Sequence, residues 1–299
     1  MHYRFSSLNR PMSILLLLLS SITTSAFARP NMTPLGPNIA DKGSAYYHFS
    51  ISEYDSADGQ RHYKVWTAVP NKAPPPSGYP MITMLDGNAV MDRLTDPLLQ
   101  KLSAGNPPVL VVVGYQTTLP FDVNARTFDY TPPDKEHGEA GYTFSRGRKG
   151  GGSIAFRTLL EQRIVPAASK GLHINQQQRA LWGHSYGGLF VLDSYLSSQL
   201  FTRYFAASPS VGQGFNSLLS EMQTRREGNK QITLMEGNGD RRSDSNTVEP
   251  EVLRAVRTTL KVMAENGAAA RYQLYPGLSH GQMFGASMEE ALLEMSQVK

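Results

Sequence analysis

The pentapeptide Gly183-His184-Ser185-Tyr186-Gly187 constrains this chain more than any other stretch. An apolar run ending in Ala180-Leu181-Trp182 leads into it. A helical pattern with Leu189, Leu192 and Leu196 on one face follows. G-x-S-x-G between a strand and a helix is the layout of a nucleophile elbow. The strand ends, the chain turns sharply, and the serine is lifted above the sheet beside the positive end of the next helix. The flanking glycines are read as making room where a β-carbon would strike the neighbouring strand and helix. Five such residues recur by chance in Gly- and Ser-rich loops. The strand before and the helix after separate them from a plain turn whose serine caps a helix.

An elbow needs a parallel sheet beneath it, and the rest of the chain supplies the pieces. Tyr46 to Tyr54 and His62 to Val69 alternate like strands, and Asp58-Gly59 between them predicts a hairpin. Met81 to Leu85 reads as a buried strand. Val109 to Val113 is an uninterrupted apolar run suited to a strand covered on both faces. Ala89 to Leu102 reads as a helix broken before Pro97, and Ser153 to Lys170 as a helix with a kink at Pro166. Phe205 to Ser208, Ile232 to Met235 and Arg271 to Tyr275 are further strands. Glu251 to Asn266, closed by Gly267, and Ser287 to Met295 are helices. The predicted fold is α/β of the α/β-hydrolase kind: a mostly parallel central sheet with an antiparallel N-terminal hairpin, flanked by helices. The stretch from Tyr115 to Gly152 is predicted to be a long irregular loop, and loops of that length serve function.

Residues 1–28 read as a secretory signal peptide. Arg4 and Arg10 make a basic start, Ile14 to Leu19 an apolar core, and Ala26-Phe27-Ala28 a cleavage signal. The expected compartment is the periplasm, with inner-membrane anchoring if the signal stays uncleaved. Residues 29–299 then form one esterase-sized domain. Absence of cysteine excludes disulfides and thiolate chemistry. A net charge of +4 is too mild to imply nucleic acid. With no H-E-x-x-H and no paired histidines, no metal and no cofactor is expected.

A serine hydroxyl needs a base within hydrogen-bond reach. In this topology the order is serine, acid, histidine. His280, in the loop after the last predicted strand, is the histidine placed to swing over Ser185. His184, beside the serine, points away from it and is read as packing or lining the pocket. The acid should follow Ile232–Met235. Glu236, Asp240, Asp244 and Glu249 are candidates, with Asp240 in the usual loop position, and a Ser185–His280 dyad without an acid stays open. The oxyanion needs two N–H donors. The backbone amides of Tyr186 and Asn88 are read as those donors, against Asn88 as an ordinary helix cap. Arg126, Arg146 and Arg148 in the long loop suit flat anionic or aromatic groups, or else form a solvated surface.

Three signatures carry a resemblance to a known family: Met84-Leu85-Asp86-Gly87-Asn88-Ala89-Val90-Met91-Asp92-Arg93-Leu94, Leu181-Trp182-Gly183-His184-Ser185-Tyr186-Gly187-Gly188-Leu189-Phe190, and Gly281-Gln282-Met283-Phe284 after His280. Val113-Gly114-Tyr115-Gln116-Thr117, Leu119-Pro120-Phe121-Asp122 and Asp129-Tyr130-Thr131-Pro132 extend it over almost the whole of residues 29–299. The chain resembles the esterase D branch of the α/β-hydrolases, within it the periplasmic trilactone esterases of enterobactin and salmochelin systems. The resemblance implies hydrolysis of a macrocyclic trilactone of catechol-acylated serines to linear forms. It puts the catalytic pair on Ser185 and His280 without a clear acid, and the substrate-loop arginine on Arg126. A general acyl esterase for feruloyl or acetyl esters and a catalytically idle siderophore-binding protein are the competing readings.

Overall fold

The apolar run at Val109 becomes an interior strand of an eight-stranded sheet in the computed structural model, which describes residues 31–133, 147–212, 215–225, 228–239 and 251–297. The predicted signal peptide, Arg146 and Asp240 lie outside the described residues. The strands are β1 (Tyr47–Asp55), β2 (His62–Pro70), β3 (Tyr79–Met84), β4 (Val109–Tyr115), β5 (Ile174–His184), β6 (Arg203–Ala207), β7 (Gln231–Gly237) and β8 (Ala269–Tyr275). Their order is β1-β2-β4-β3-β5-β6-β7-β8. The β1–β2 hairpin and the β2–β4 pair are antiparallel, and every later pair is parallel. This is the α/β-hydrolase arrangement that the sequence predicts.

The helices are α1 (Ile39–Lys42), α2 (Gly87–Arg93), α3 (Asp96–Ser103), α4 (Val123–Tyr130), α5 (Ser153–Leu159), α6 (Val165–Ala168), α7 (Tyr186–Ser197), α8 (Asn216–Thr224), α9 (Glu251–Glu265) and α10 (Gln282–Ser296). Strand alternation divides the core into two layers. Val109, Val111 and Val113 face α5, α7, α8 and α9, while Leu110 and Val112 face α2, α3 and α10. The break before Pro97 is real: α2 ends at Arg93, and Thr95 caps α3 with Pro97 in its first turn. Around Pro166 the helix is irregular. A π-turn, Leu160–Ile164, joins α5 to α6 and widens the helix where proline lacks its N–H.

The segment from Tyr115 to Gly152 departs from the expectation of an irregular loop. Tyr115 closes β4, and α4 fills eight residues after Asp122, whose side chain accepts from Ala125 N. The buried face of α4 is polar, which explains why apolar periodicity missed it. Asp129 is 1% exposed and takes hydrogen bonds from the Tyr63 and Tyr115 hydroxyls, both at 2.9 Å. Arg61 Nε lies 2.8 Å from its other oxygen. Burial pushes this carboxyl up to about 7, against the opposite pull of Arg61 and the two phenols. Asp129 fixes α4 to the sheet and so aims Arg126, one turn earlier, at the sheet's carboxyl edge.

Candidate active site

In an open α/β sheet the carboxyl ends of the strands form the working edge. Here Asp86 follows β3, Ser185 follows β5, Ser208 to Ser210 follow β6, Asn238 follows β7 and His280 follows β8. Residues far apart in the chain are therefore neighbours.

Ser185 has φ 60° and ψ −116°, a strained conformation for a residue with a side chain. Three backbone bonds hold it there. Its N–H donates to Ala207 O at 2.9 Å, and its carbonyl accepts from Leu189 N and Ser210 N, each at 3.0 Å. A β-carbon on Gly183 would overlap the Gly187 carbonyl, and one on Gly188 would stand 2.8 Å from Ala207 O. One on Gly187 would meet nothing closer than 3.6 Å. The glycines that permit the turn are thus Gly183 and Gly188; Gly187 contributes its close-lying backbone. The half-buried Ser185 hydroxyl shares a hydrogen bond with Ser210 Oγ at 2.9 Å. No sequence pattern marks Ser210, a serine past the end of a short strand.

The His280 loop is fastened along its length. Gly277 N donates to Asn238 Oδ1 at 2.7 Å, Gly239 N to Leu278 O at 2.8 Å, and Ser279 N to Gln282 Oε1 at 2.9 Å. The His280 ring packs 4.7 Å from the His184 ring, and His184 Nε2 reaches the His280 carbonyl at 2.8 Å. His184 does pack, as expected, but against His280. Burial, then the neighbouring His280, Arg126 and Arg93, hold its pKa well below the usual 6.5. Glu236, one of the acid candidates, is buried at the end of β7. Alternation sets it on the face of Ile232 and Leu234, opposite Met235 and α10.

Asp86 is the pivot of the β3–α2 turn. It adopts left-handed φ 54°, caps nothing with its side chain, and gives both carboxylate oxygens to Arg126: Nε at 2.7 Å and Nη2 at 2.8 Å. The pair is buried, with side chains 11% and 1% exposed. Arg126 Nη2 also approaches His184 O at 3.4 Å, and its guanidinium lies 5.4 Å from the rings of Phe121 and Tyr186. Arg126 is therefore engaged by the protein along one edge, which leaves Nη1. Asn88 is not a cap. Its side chain donates to Tyr115 O and Thr117 O and accepts from Tyr115 N, stapling α2 to the end of β4. Asn88 and Tyr186 stand in the first turns of α2 and α7, where main-chain N–H groups have no intrahelical acceptor. Arg148 is half-buried, beyond the far end of α4, where Gly151 N meets Thr131 Oγ1. Among the described residues no cluster suited to a metal ion occurs.

Comparison with known proteins gives the family of the chain. The chain is 50% identical over 294 residues to the apo-salmochelin esterase of Escherichia coli, covering 96% of this chain and 92% of that one. It is 27% identical to the ferri-bacillibactin esterase BesA of Bacillus subtilis, over 79% of this chain and 86% of that one. The solved structure of the enterobactin hydrolase IroE with DFP superposes with a TM-score of 0.77 at 51% identity, covering 87% of this chain and 99% of that one. The esterase family model matches residues 56–295, so the strained serine and the strand-end loops around it are those of a chain that belongs to the esterase family.

Proposed function

We propose that this protein hydrolyses the ester bonds of catecholate siderophore trilactones of the enterobactin and salmochelin type, with Ser185 as nucleophile and His280 as general base. The observation that carries the proposal is the strained Ser185 on the same sheet edge as the His280 loop. It stands in a chain half identical, over nearly its whole length, to an apo-salmochelin esterase.

His280 accepts the Ser185 proton as Oγ attacks the lactone carbonyl. The carbonyl π electrons move onto oxygen, and the first-turn amides of Tyr186 and Asn88 stand ready to bind that oxyanion. Collapse expels the serine-derived alkoxide of the substrate, which takes the proton back from His280. Water, deprotonated by His280, then releases the acid and regenerates Ser185. The ring opens to a linear trimer, which is a substrate for the next cut. Arg126, paired with Asp86 and set among Phe121, Tyr130 and Tyr186, supports the β3–α2 turn that carries the Asn88 amide. The basic start, apolar core and Ala26-Phe27-Ala28 of residues 1–28 support action in the periplasm.

The test is to incubate the purified protein with iron-free and ferric enterobactin and resolve the products by mass. Linear and shorter fragments, absent with Ser185→Ala, are expected. Turnover of nitrophenyl esters alone would point to a general acyl esterase. Tight binding without cleavage would point to a siderophore-binding protein.

A further inference from the structure

We propose that His184 is a positioning residue for His280: its imidazole donates a hydrogen bond from Nε2 to the His280 main-chain carbonyl and backs the His280 ring, fixing the base relative to the serine. This rests on the reading of His280 as the base of Ser185.

A catalytic histidine needs a group that sets its orientation, and an acid usually does so through the ring. In this structure a second grip acts through the backbone. The His184 Nε2 to His280 O distance is 2.8 Å, and the two rings lie 4.7 Å apart at 47°. A carbonyl only accepts, so Nε2 carries the proton. The ring cannot readily charge, because it is buried and faces His280, Arg126 and Arg93. It is therefore a lasting donor with one tautomer. Its own position is fixed from behind, where the Phe284 ring meets it edge-on at 5.5 Å and itself meets Trp182 at 5.1 Å.

The chain position of His184 gives the contact its meaning. It is the last residue of β5, and Ser185 is the next. One hydrogen bond thus ties the residue before the nucleophile to the residue that carries the base. Elsewhere the His280 loop is held by hydrogen bonds with Asn238, Gly239 and Gln282. Removing the His184 donor would loosen this tie between the elbow and the His280 backbone while leaving those other loop bonds in place.

His184→Phe keeps a flat ring for packing and removes the donor, while His184→Gln restores an N–H at similar reach. Each is assayed for kcat and KM on a nitrophenyl ester, for the rate of Ser185 labelling by a fluorophosphonate, and for thermal stability. His280→Ala is run alongside. A misplaced base costs on the order of 10- to 100-fold. His184→Phe is expected to lose that much in kcat and in labelling rate, with KM within about twofold. His184→Gln should return to within about threefold of the parent. Full activity in the Phe variant, or equal loss in Phe and Gln at equal stability, would overturn the positioning role. His280→Ala labelled as fast as the parent would instead remove His280 as base, and His184's role with it.

Discussion

Replacing Arg126 by lysine tests whether this arginine serves the fold or the substrate. Its guanidinium spans both oxygens of Asp86 at 2.7 and 2.8 Å, with side chains 11% and 1% exposed. A lysine ammonium keeps the charge but cannot reproduce the planar fork, so one charge-assisted bond is lost. Such a bond is worth about 1.5–3 kcal/mol. For a domain of this size that corresponds to a fall in Tm of roughly 4–10 °C. Arg126→Ala goes further, leaving the Asp86 carboxylate buried and unpaired at a cost of about 3–5 kcal/mol. Because Asp86 sets the β3–α2 turn, hydrolysis of a small nitrophenyl ester should fall along with that of the trilactone. The measurements are thermal unfolding by circular dichroism and kcat/KM on both substrates. Unchanged Tm with a selective collapse of trilactone hydrolysis would refute this reasoning and assign the guanidinium to the substrate.

Ser185→Ala should reduce turnover by about 10⁴-fold or more, while unfolding shifts by less than about 0.5 kcal/mol, as for a half-buried side chain with little packing; substantial residual turnover would remove Ser185 from the mechanism. Stability should depend on pH through His184, whose folded pKa lies well below its unfolded value near 6.5. The folded protein then binds fewer protons below that value, so stability is full above about pH 6.5 and declines as pH falls, by up to about 1.4 kcal/mol per pH unit. Denaturant titrations across pH 5–8 should show that slope in the difference between parent and His184→Phe, because the opposite slope from the raised Asp129 carboxyl is common to both. With Ser185 and His280 working as a dyad, Asp240→Asn should lower turnover by less than roughly tenfold; a loss near the roughly 10⁴ of a true triad acid made an amide would make Asp240 the acid.

Where burial is apolar, the sequence announced the structure. The β-branched run at β4, the alternating hairpin strands and the strand–turn–helix around Ser185 all stand where their patterns predict. What escaped were elements stabilised by polar contacts. The inner face of α4 is Ala125, Thr127, Asp129 and Tyr130, and a face built on an aspartate gives no apolar period. The start of α4 carried a readable sign in Asp122, which caps it. The partnership of Asp86 with Arg126 was out of reach, because it joins positions 40 residues apart through an exchange of charge that leaves no local trace. Ser210 and the His184–His280 tie share that character: each is a long-range polar contact between ordinary residues.

Helix α10 couples the proposed base to the strand beneath the nucleophile. α10 follows directly on His280 and lies against β5, with Trp182 Nε1 donating to Ser287 Oγ at 3.2 Å and Phe284 set edge-on to the indole. The helix after β8 thus covers the underside of the elbow strand in the same docking that delivers the proposed base. Loosening α10 would disturb the His280 loop and uncover Trp182 together. Seating of the proposed base and sealing of the elbow strand are thus one event in the packing of a single helix.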